Sequence, residues 1–438
     1  MIDLSQLRDN PGRFRDAAAA KRIHVDIDQI LELDAERRKL LTEQQKITAE
    51  KNMVGRQIGQ LAPQLKTASG DEKLELQQKM KQMQQRPTQL KQREQELSKL
   101  IGEIESPLND LLLHVPQPPD ETVPVGADDS ENVELRKWGE VRKFDFEPKD
   151  HVALGRNLGM IDIERGVKLS GTRSYFLTGH GALLHQAVLR LAFDRICGHG
   201  FKPMTPPVMV RQPALVGTGY FPLGRDQTYA MTNEDPELFL VGTAEVPLMS
   251  YHMDEILNET DLPRRYVAQS SCFRREAGTY GKDTHGLYRI HQFDKVEQVV
   301  LCKNDINESK GWHEKILSYA EQLLQELELP YRVVDVCTGE LGQGQVAKFD
   351  IETWMPSRKS YGETHSASRF YDFQARRLNV RYRDDQGKVH FCHSLNNTVI
   401  ASPRILIPLM ELYQNSGGSI CIPKALTPYM NGMERIDP

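Results

Sequence analysis

The stretch "FRREAGTYGKDTHGLYRIHQFDKVE", residues 273–297, packs Arg274, Arg275, Glu276, Lys282, Asp283, Arg289, Asp294, Lys295 and Glu297 around three glycines and two tyrosines. Its flanks are regular. "RYVAQSSCFRRE" (265–276) and "YRIHQFDKVEQVV" (288–300) read as strands, and "AGTYGKDTHGL" between them reads as a glycine-containing loop. Residues two apart on a strand share a face. Arg274 and Glu276 are therefore expected to point one way, and Arg289, His291, Phe293, Lys295 and Glu297 to share a face of the return strand. An antiparallel hairpin merges the two sets into one polar surface bearing one aromatic ring. Arginine forks onto phosphate or carboxylate, a carboxylate holds an ammonium group, and a phenyl ring stacks on a base. Such a surface suits a nucleotide together with a zwitterion. The bland alternative is a solvated hairpin with surface ion pairs of little individual worth.

Outward from the hairpin, the chain between residues 150 and 438 alternates apolar strands with a few helices. "HGALLHQAVLRLAFDRI" (180–196) has helical spacing, whereas "LPYRVVDVC" (329–337), "AKFDIETWM" (347–355) and "FYDFQARRLNVRYR" (370–383) read as strands. Strands joined by short turns, with helices in separate blocks, predict an α+β fold with an antiparallel sheet flanked by helices. No glycine-rich dinucleotide or P-loop signature follows a strand.

The N-terminal hundred residues differ. Positions 30, 33, 37, 40, 44, 47, 51, 54, 58 and 61, and then 76, 80, 83, 87, 90, 94, 97, 101 and 104, step by three and four through mostly apolar residues with polar interruptions. Two long helices are expected, forming an antiparallel hairpin, with Pro63 and Gly70 as breakers in "APQLKTASGD" (62–71) and Pro87 kinking the second helix. Residues 35–100 hold fourteen Lys/Arg against eight Asp/Glu, a balance of +6 inside a chain of net charge −5, which leaves −11 for the remainder. A basic arm on an acidic body favours contact with phosphate, and a dimerising coiled coil is the competing reading. The helical pattern is expected to end at Ser106, where a proline-rich linker containing "HVPQPPDETVPVG" (114–126) begins. The expected division is a helical arm over 1–105, a linker over 106–150 and a catalytic domain over 151–438.

Six scattered cysteines without a C-x-x-C pair indicate neither a disulfide framework nor a zinc site, and Cys392–His393 reads as strand filler rather than a nucleophile. Hydrophobic content of 39% and charged content of 27% fit a globular protein with an ample core. No apolar run approaches a membrane span, so no membrane association is expected and the cytoplasm is the expected location.

"FRRE", a loop and "HQFDKVE" resemble motif 2 of the class II aminoacyl-tRNA synthetases, in the form used by the seryl-tRNA synthetase family of bacterial type. The likeness runs along nearly the whole chain. The helical hairpin resembles that family's tRNA-binding arm, and "VPVGADDSENVELRKWGE" (123–140) its linker. "DHVALGRNLGMIDIERGVKLSGTRSYFLTGHGALL" (150–184) is similar to the entry to its catalytic domain. "GFKPMTPPVMV" (200–210) resembles motif 1, with Pro207 as its proline and a homodimer interface implied. "VGTAEVPL" (241–248) resembles the serine-binding segment, and "DFQARR" (372–377) and "YMNG" (429–432) also match.

The resemblance implies activation of L-serine with ATP and Mg2+, without zinc, followed by transfer to tRNA(Ser), with tRNA(Sec) left open as a second acceptor. It implies serine contacts from Thr243, Ala244, Glu245, Arg274, Glu297 and Thr398. ATP contacts are implied for Arg274, Arg275, Glu276, Phe293, Glu363, Thr364, His365, Ser366 and Arg404, and metal contacts for Glu363 and Ser366. Arg274, Glu363 and Arg404 are implied to serve catalysis. Two segments depart from common bacterial forms, "ETHSASR" (363–369) and "NNTVIASPR" (396–404). Ser402–Pro403 is expected to cap and begin the motif 3 helix, and Pro408 to kink it. An enzyme that loads a carrier protein would lack the arm, and a non-catalytic coiled-coil adaptor would have lost Arg274, Glu297 or Arg404; this chain keeps all of these.

Overall fold

The structure, a computed structural model, describes residues 2–278, 281 and 285–438. Within the expected loop at 277–287, Thr279, Tyr280, Lys282, Asp283 and Thr284 lie outside the described residues. The chain forms two compact units. One comprises residues 4–11 and 24–115; the other comprises residues up to 3, 12–23 and 116–438.

The first unit is the helical hairpin. α1 (Ile27–Thr67) and α2 (Gly70–Leu112) bury Ile30, Ile47 and Val54 against Leu90, Leu97 and Ile101, all on the expected seam. Salt bridges cross between the helices from Arg37 to Glu105 (2.8 Å), Glu43 to Arg93 (2.8 Å) and Lys51 to Glu94 (2.6 Å), a register that is antiparallel. Near the base, fully buried Asp34 meets Arg8 at 3.0 Å and Arg38 at 3.1 Å. Asp26 caps α1 by accepting from Gln29 N–H.

Two expectations about the hairpin are corrected. Pro63 lies inside α1, on an exposed face where the carbonyl it deprives of a partner is open to solvent. The chain reverses instead at Ala68 and Ser69, which are extended, and at Gly70, whose φ of +63° costs glycine nothing. Second, α2 does not stop at Ser106. It runs through Pro107 to Leu112, since Leu108 and Leu112 continue the buried stripe.

The second unit is built on an eight-stranded sheet of β1 (Val133–Trp138), β2 (Lys202–Met204), β3 (Arg264–Phe273), β4 (Gln292–Cys302), β5 (Tyr331–Asp335), β6 (Ala347–Met355), β7 (Ser360–Tyr371) and β8 (His393–Ser402). Their spatial order is β1-β5-β6-β7-β8-β4-β3-β2. Every pairing is antiparallel except that of edge strand β2 with β3. α3 (Gly179–Gly198) and α4 (Ile306–Glu326) pack on the sheet, burying Leu184, Val188, Leu191, Ile316, Leu323 and Leu324 against Val300, Leu395 and Val399. At roughly 1.5–3 kcal/mol per buried large aliphatic side chain, this face dominates the unit's stability. The expected α+β architecture, a helical hairpin plus an antiparallel sheet flanked by helices, is the one observed.

Lys21 belongs to this unit although it lies early in the chain. Its buried ammonium donates to the carbonyls of Gly342 (3.1 Å), Gln343 (3.2 Å) and Gln345 (2.5 Å).

Three local readings are corrected here. β3 ends at Phe273 and β4 starts at Gln292, so Arg274 and Glu276 do not alternate along a strand; Glu276 has φ +53°. Residues 370–383 are not one strand: Phe373–Leu378 form a helical turn whose Phe373, Ala375 and Leu378 face inward, ended by left-handed Asn379. The motif 3 helix begins at Leu406, not Pro403, because Ser402 still belongs to β8. Pro408 then occupies the first turn of Leu406–Leu412, where no intrahelical partner awaits its missing N–H, and no kink is called for.

Candidate active site

The open face of the sheet carries a cleft with a cavity volume of about 240 Å³, walled by residues of β4, β6, β7, β8 and the segments that flank β3 and β4. Its charges separate into two ends.

At one end are buried carboxylates. Glu245 begins the short helix Glu245–Ser250 and is 3% exposed. It accepts from Tyr220 Oη (2.9 Å), Gln374 Nε2 (2.7 Å) and Asn396 Nδ2 (2.9 Å). Burial pushes its carboxyl up to about 7, and the negative Glu297 adds to the push against the pull of Gln374 and Tyr220. Asn396 Nδ2 also donates to Glu297 (3.2 Å), so one amide bridges the two acids. Glu297 in turn pairs with Lys295 Nζ at 2.8 Å and accepts from Thr398 Oγ1 at 3.2 Å. These contacts follow from register: Lys295 and Glu297 share a face of β4, and Glu297 lies opposite Thr398 of β8.

At the other end are cations. Arg274 leaves β3 as its N–H donates to His291 O, and its guanidinium lies 5.3 Å from the Phe293 ring centroid. Among the described residues it makes no ion pair. Arg404 donates from Nε to Tyr288 O and from Nη1 to Glu363 O (both 3.1 Å), with the Glu363 carboxylate 3.5 Å away. Glu363 is half exposed at its side chain, yet the crowded wall around it would raise the carboxyl; Arg404, Lys348 and Arg274 outweigh that and hold it below the usual range. Lys348 pairs with Asp350 at 3.2 Å, and burial drives the Asp350 carboxyl up to about 6. Between the ends, Glu276 pairs with Arg289 at 2.8 Å.

The cleft wall brings together Glu245, Arg274, Glu276, Phe293, Glu363, Thr364, His365, Ser366, Thr398 and Arg404 from the residues expected. Thr364 and His365 are nonetheless buried: the Thr364 hydroxyl bonds Thr353 and Ile351 O, and His365 Nδ1 bonds Thr364, with burial pulling the imidazole down to about 3. Glu297 stands one hydrogen bond behind the wall. Thr243 and Ala244 are buried beneath it, and Thr243 Oγ1 accepts from Glu245 N–H (3.2 Å). Arg275 is exposed and does not line the cleft. Tyr220, Asn396, Gln345 and Lys348 line it without having been singled out in the sequence. Neutral polar residues from separate segments carry no spacing signal, and a strand lysine reads as surface. Among the described residues no group of three or more His, Cys, Asp or Glu is arranged to hold a metal ion.

Comparison with known proteins identifies the scaffold. Residues 1–73 match the seryl-tRNA synthetase N-terminal domain, and residues 229–413 match the tRNA synthetase class II core domain (G, H, P, S and T). The serine–tRNA ligase of Deinococcus radiodurans is 44% identical over 434 residues, covering 99% of this chain and 98% of the relative. The chain belongs to the seryl-tRNA synthetase family. Another family relative, from Thermosipho africanus, is 46% identical over 439 residues with full coverage of both chains. Among solved structures, the seryl-tRNA synthetase of Pyrococcus horikoshii complexed with ATP superposes with a TM-score of 0.88 at 38% identity, over the full length of both chains. The cytoplasmic serine–tRNA ligase of Naegleria fowleri in complex with AMP gives 0.85 at 28% identity, covering 98% of this chain and 96% of that one.

Proposed function

We propose that this chain is a serine–tRNA ligase, which activates L-serine with ATP and transfers it to tRNA(Ser). One observation carries the reading of the cleft: the buried carboxylate Glu245, with buried Glu297 behind it, shares the cleft with the cations Lys348, Arg404 and Arg274, and Arg274 has no ion pair among the described residues. The acid end suits the ammonium and hydroxyl of serine. Glu245 faces the amino acid, while Glu297, Asn396 and Thr398 fix its surroundings, with Thr243 and Ala244 supporting Glu245 from beneath. Such a pocket rejects alanine, because losing the hydroxyl leaves buried polar groups unpaired. Arg274 neutralises the serine carboxylate and the α-phosphate together, Phe293 and Glu276 receive adenine, and Arg404 takes the terminal phosphate. Glu363 and Ser366 complete the nucleotide contacts within the cleft, Thr364 and His365 back them from the buried side, and exposed Arg275 meets the nucleotide only from outside the wall.

In the first step a serine carboxylate oxygen attacks the α-phosphorus, and the bond to the β-phosphate oxygen breaks to release pyrophosphate. In the second a terminal ribose hydroxyl of the tRNA attacks the acyl carbon and AMP leaves. Both gain mainly from positioning and charge neutralisation, and neither needs a covalent bond to the enzyme. Glu363, kept ionised by its cationic neighbours, and the Ser366 hydroxyl are hard oxygen donors of the kind Mg2+ uses beside phosphates, where a full protein cage is not needed. Bound there, the ion supplies charge neutralisation.

The reading extends to the whole chain: a tRNA-binding arm continuing to Leu112, a linker to about residue 150, a catalytic domain beyond it, a homodimer through the Pro207 segment, and action in the cytoplasm. The decisive test is pyrophosphate exchange with ATP and Mg2+ for each amino acid. Serine is expected to drive exchange, with alanine and threonine giving little. Stronger exchange with alanine would overturn the assignment.

A further inference from the structure

Behind Arg404 lies a buried chain of side chains that the reaction as described does not use. His185, on α3, is 7% exposed and sits with its Nε2 3.0 Å from Asp294 Oδ2 and its Nδ1 2.8 Å from Ser402 Oγ. Ser271 Oγ donates to the other Asp294 oxygen at 2.6 Å. The carboxylate can only accept, so Nε2 donates to Asp294, and Nδ1 meets the Ser402 hydroxyl, which can serve as donor or acceptor. Burial would raise the Asp294 carboxyl, but the bonds from His185 and Ser271 hold it below its ordinary range. Asp294 and Ser402 face each other across β4 and β8, so strand register brings the two ends of the chain together and α3 supplies the link.

The chain of contacts ends where regular structure ends. Ser402 is the last residue of β8, and the following helix starts at Leu406. Arg404 sits in the turn between them. Pro403 has no N–H to donate, and the next backbone bond back to the strand is Ile405 N–H to Ala401 O (3.0 Å). The Ser402 hydroxyl is thus the last side-chain anchor before Arg404. It resembles the serine of a hydrolytic triad in its partners, yet Ser402 is 0% exposed, and a nucleophile must be reachable.

We infer that Ser402, His185 and Asp294 are positioning residues for Arg404, holding the turn so that its guanidinium faces the phosphate end of the cleft. This rests on the adenylate-forming reading of the cleft.

The test compares wild type with Ser402→Ala, Ser402→Thr, Asp294→Asn, Arg404→Ala and the Ser402→Ala/Arg404→Ala double variant. KM for ATP and KM for serine are measured by pyrophosphate exchange, and Kd for ATP by calorimetry. Ser402→Ala and Asp294→Asn are expected to raise KM and Kd for ATP by about tenfold, the value of one buried hydrogen bond. Serine KM should move less than about twofold, and Ser402→Thr, which keeps a hydroxyl, should recover most of the loss. In the Arg404→Ala background the Ser402 change should add less than about twofold, because a positioning residue has nothing left to position. The inference is overturned if ATP affinity is unchanged in both folded single variants, if serine and ATP constants rise in equal proportion, or if the double variant shows the full product of the two losses. A wild-type chain that binds ATP without exchanging pyrophosphate would sink the adenylation reading alone; the calorimetric comparison would still decide this inference.

Discussion

On the proposed function, Arg274 is the side chain on which the chemistry turns. It enters the cleft at the end of β3 over the Phe293 ring, and no carboxylate among the described residues pairs with it. Arg274→Ala should therefore leave folding intact and cost about 3 kcal/mol of transition-state stabilisation, on the order of a hundredfold in exchange rate. Exchange rate and thermal midpoint measured on one preparation check this; near-normal exchange would demote the hairpin to a surface.

Glu245 makes a prediction about pH. Its carboxyl lies at about 7 against an ordinary 4.5, so the folded chain keeps this proton where the unfolded chain has released it. The stability that goes with the neutral acid is fully present below pH 4.5 and is lost as pH rises through about 7. Serine, bringing an ammonium group, favours the ionised form. Serine affinity should then fall about tenfold from pH 8 to pH 6, and serine should raise the melting temperature more at pH 8 than at pH 6. A flat KM for serine across this range would remove Glu245 from the ammonium site. Arg274, Glu276, Phe293 and Glu297 stood out in the sequence as a polar hairpin with one aromatic, which by charge alone reads as well as a surface; their roles, and Arg404 altogether, came from the resemblance to motifs 2 and 3. Tyr220, Gln374 and Asn396 did not stand out, since only tertiary packing brings three neutral side chains from distant segments onto one carboxylate.

Among the elements, the helical hairpin was the most legible, because a three-and-four spacing sustained over two long segments marks helix whichever partner the seam meets. Its limits were less so. Proline punctuates a sequence strongly, yet Pro63 and Pro107 both sit on faces where helix can continue. Residues 370–383 misled for the opposite reason: aromatic and β-branched residues raise the strand score of a segment that a tertiary contact folds into one helical turn. The hairpin's weakest point is Asp34, buried among Arg8, Arg37 and Arg38. Asp34→Ala leaves several cations without their shared anion and should destabilise the hairpin by about 3 kcal/mol. Urea unfolding followed by far-ultraviolet circular dichroism would show helix lost early. A change within experimental error would mean that the arginines are satisfied by solvent.

At the scale of the molecule, every residue lining the cleft falls between positions 220 and 404. Replacing residues 35–100 by a short linker should thus spare serine-dependent exchange while tRNA charging collapses. In the intact chain, tRNA affinity should fall as salt rises, as lysines and arginines displace counterions from phosphates. Charging by the armless protein at the full rate would make the arm a dimerisation element. The carbonyls of Gly342, Gln343 and Gln345 wait for Lys21, which stands more than three hundred positions ahead of them. During translation that ammonium remains hydrated while α1 and α2, whose contacts are local, close on each other. The second unit can close there only when Lys21 meets a segment made more than three hundred positions later. Replacing Lys21 by methionine, which leaves Arg8 and its bond to Asp34 in place, would be felt not at the arm but in the loop that carries Gln345 to the edge of the cleft.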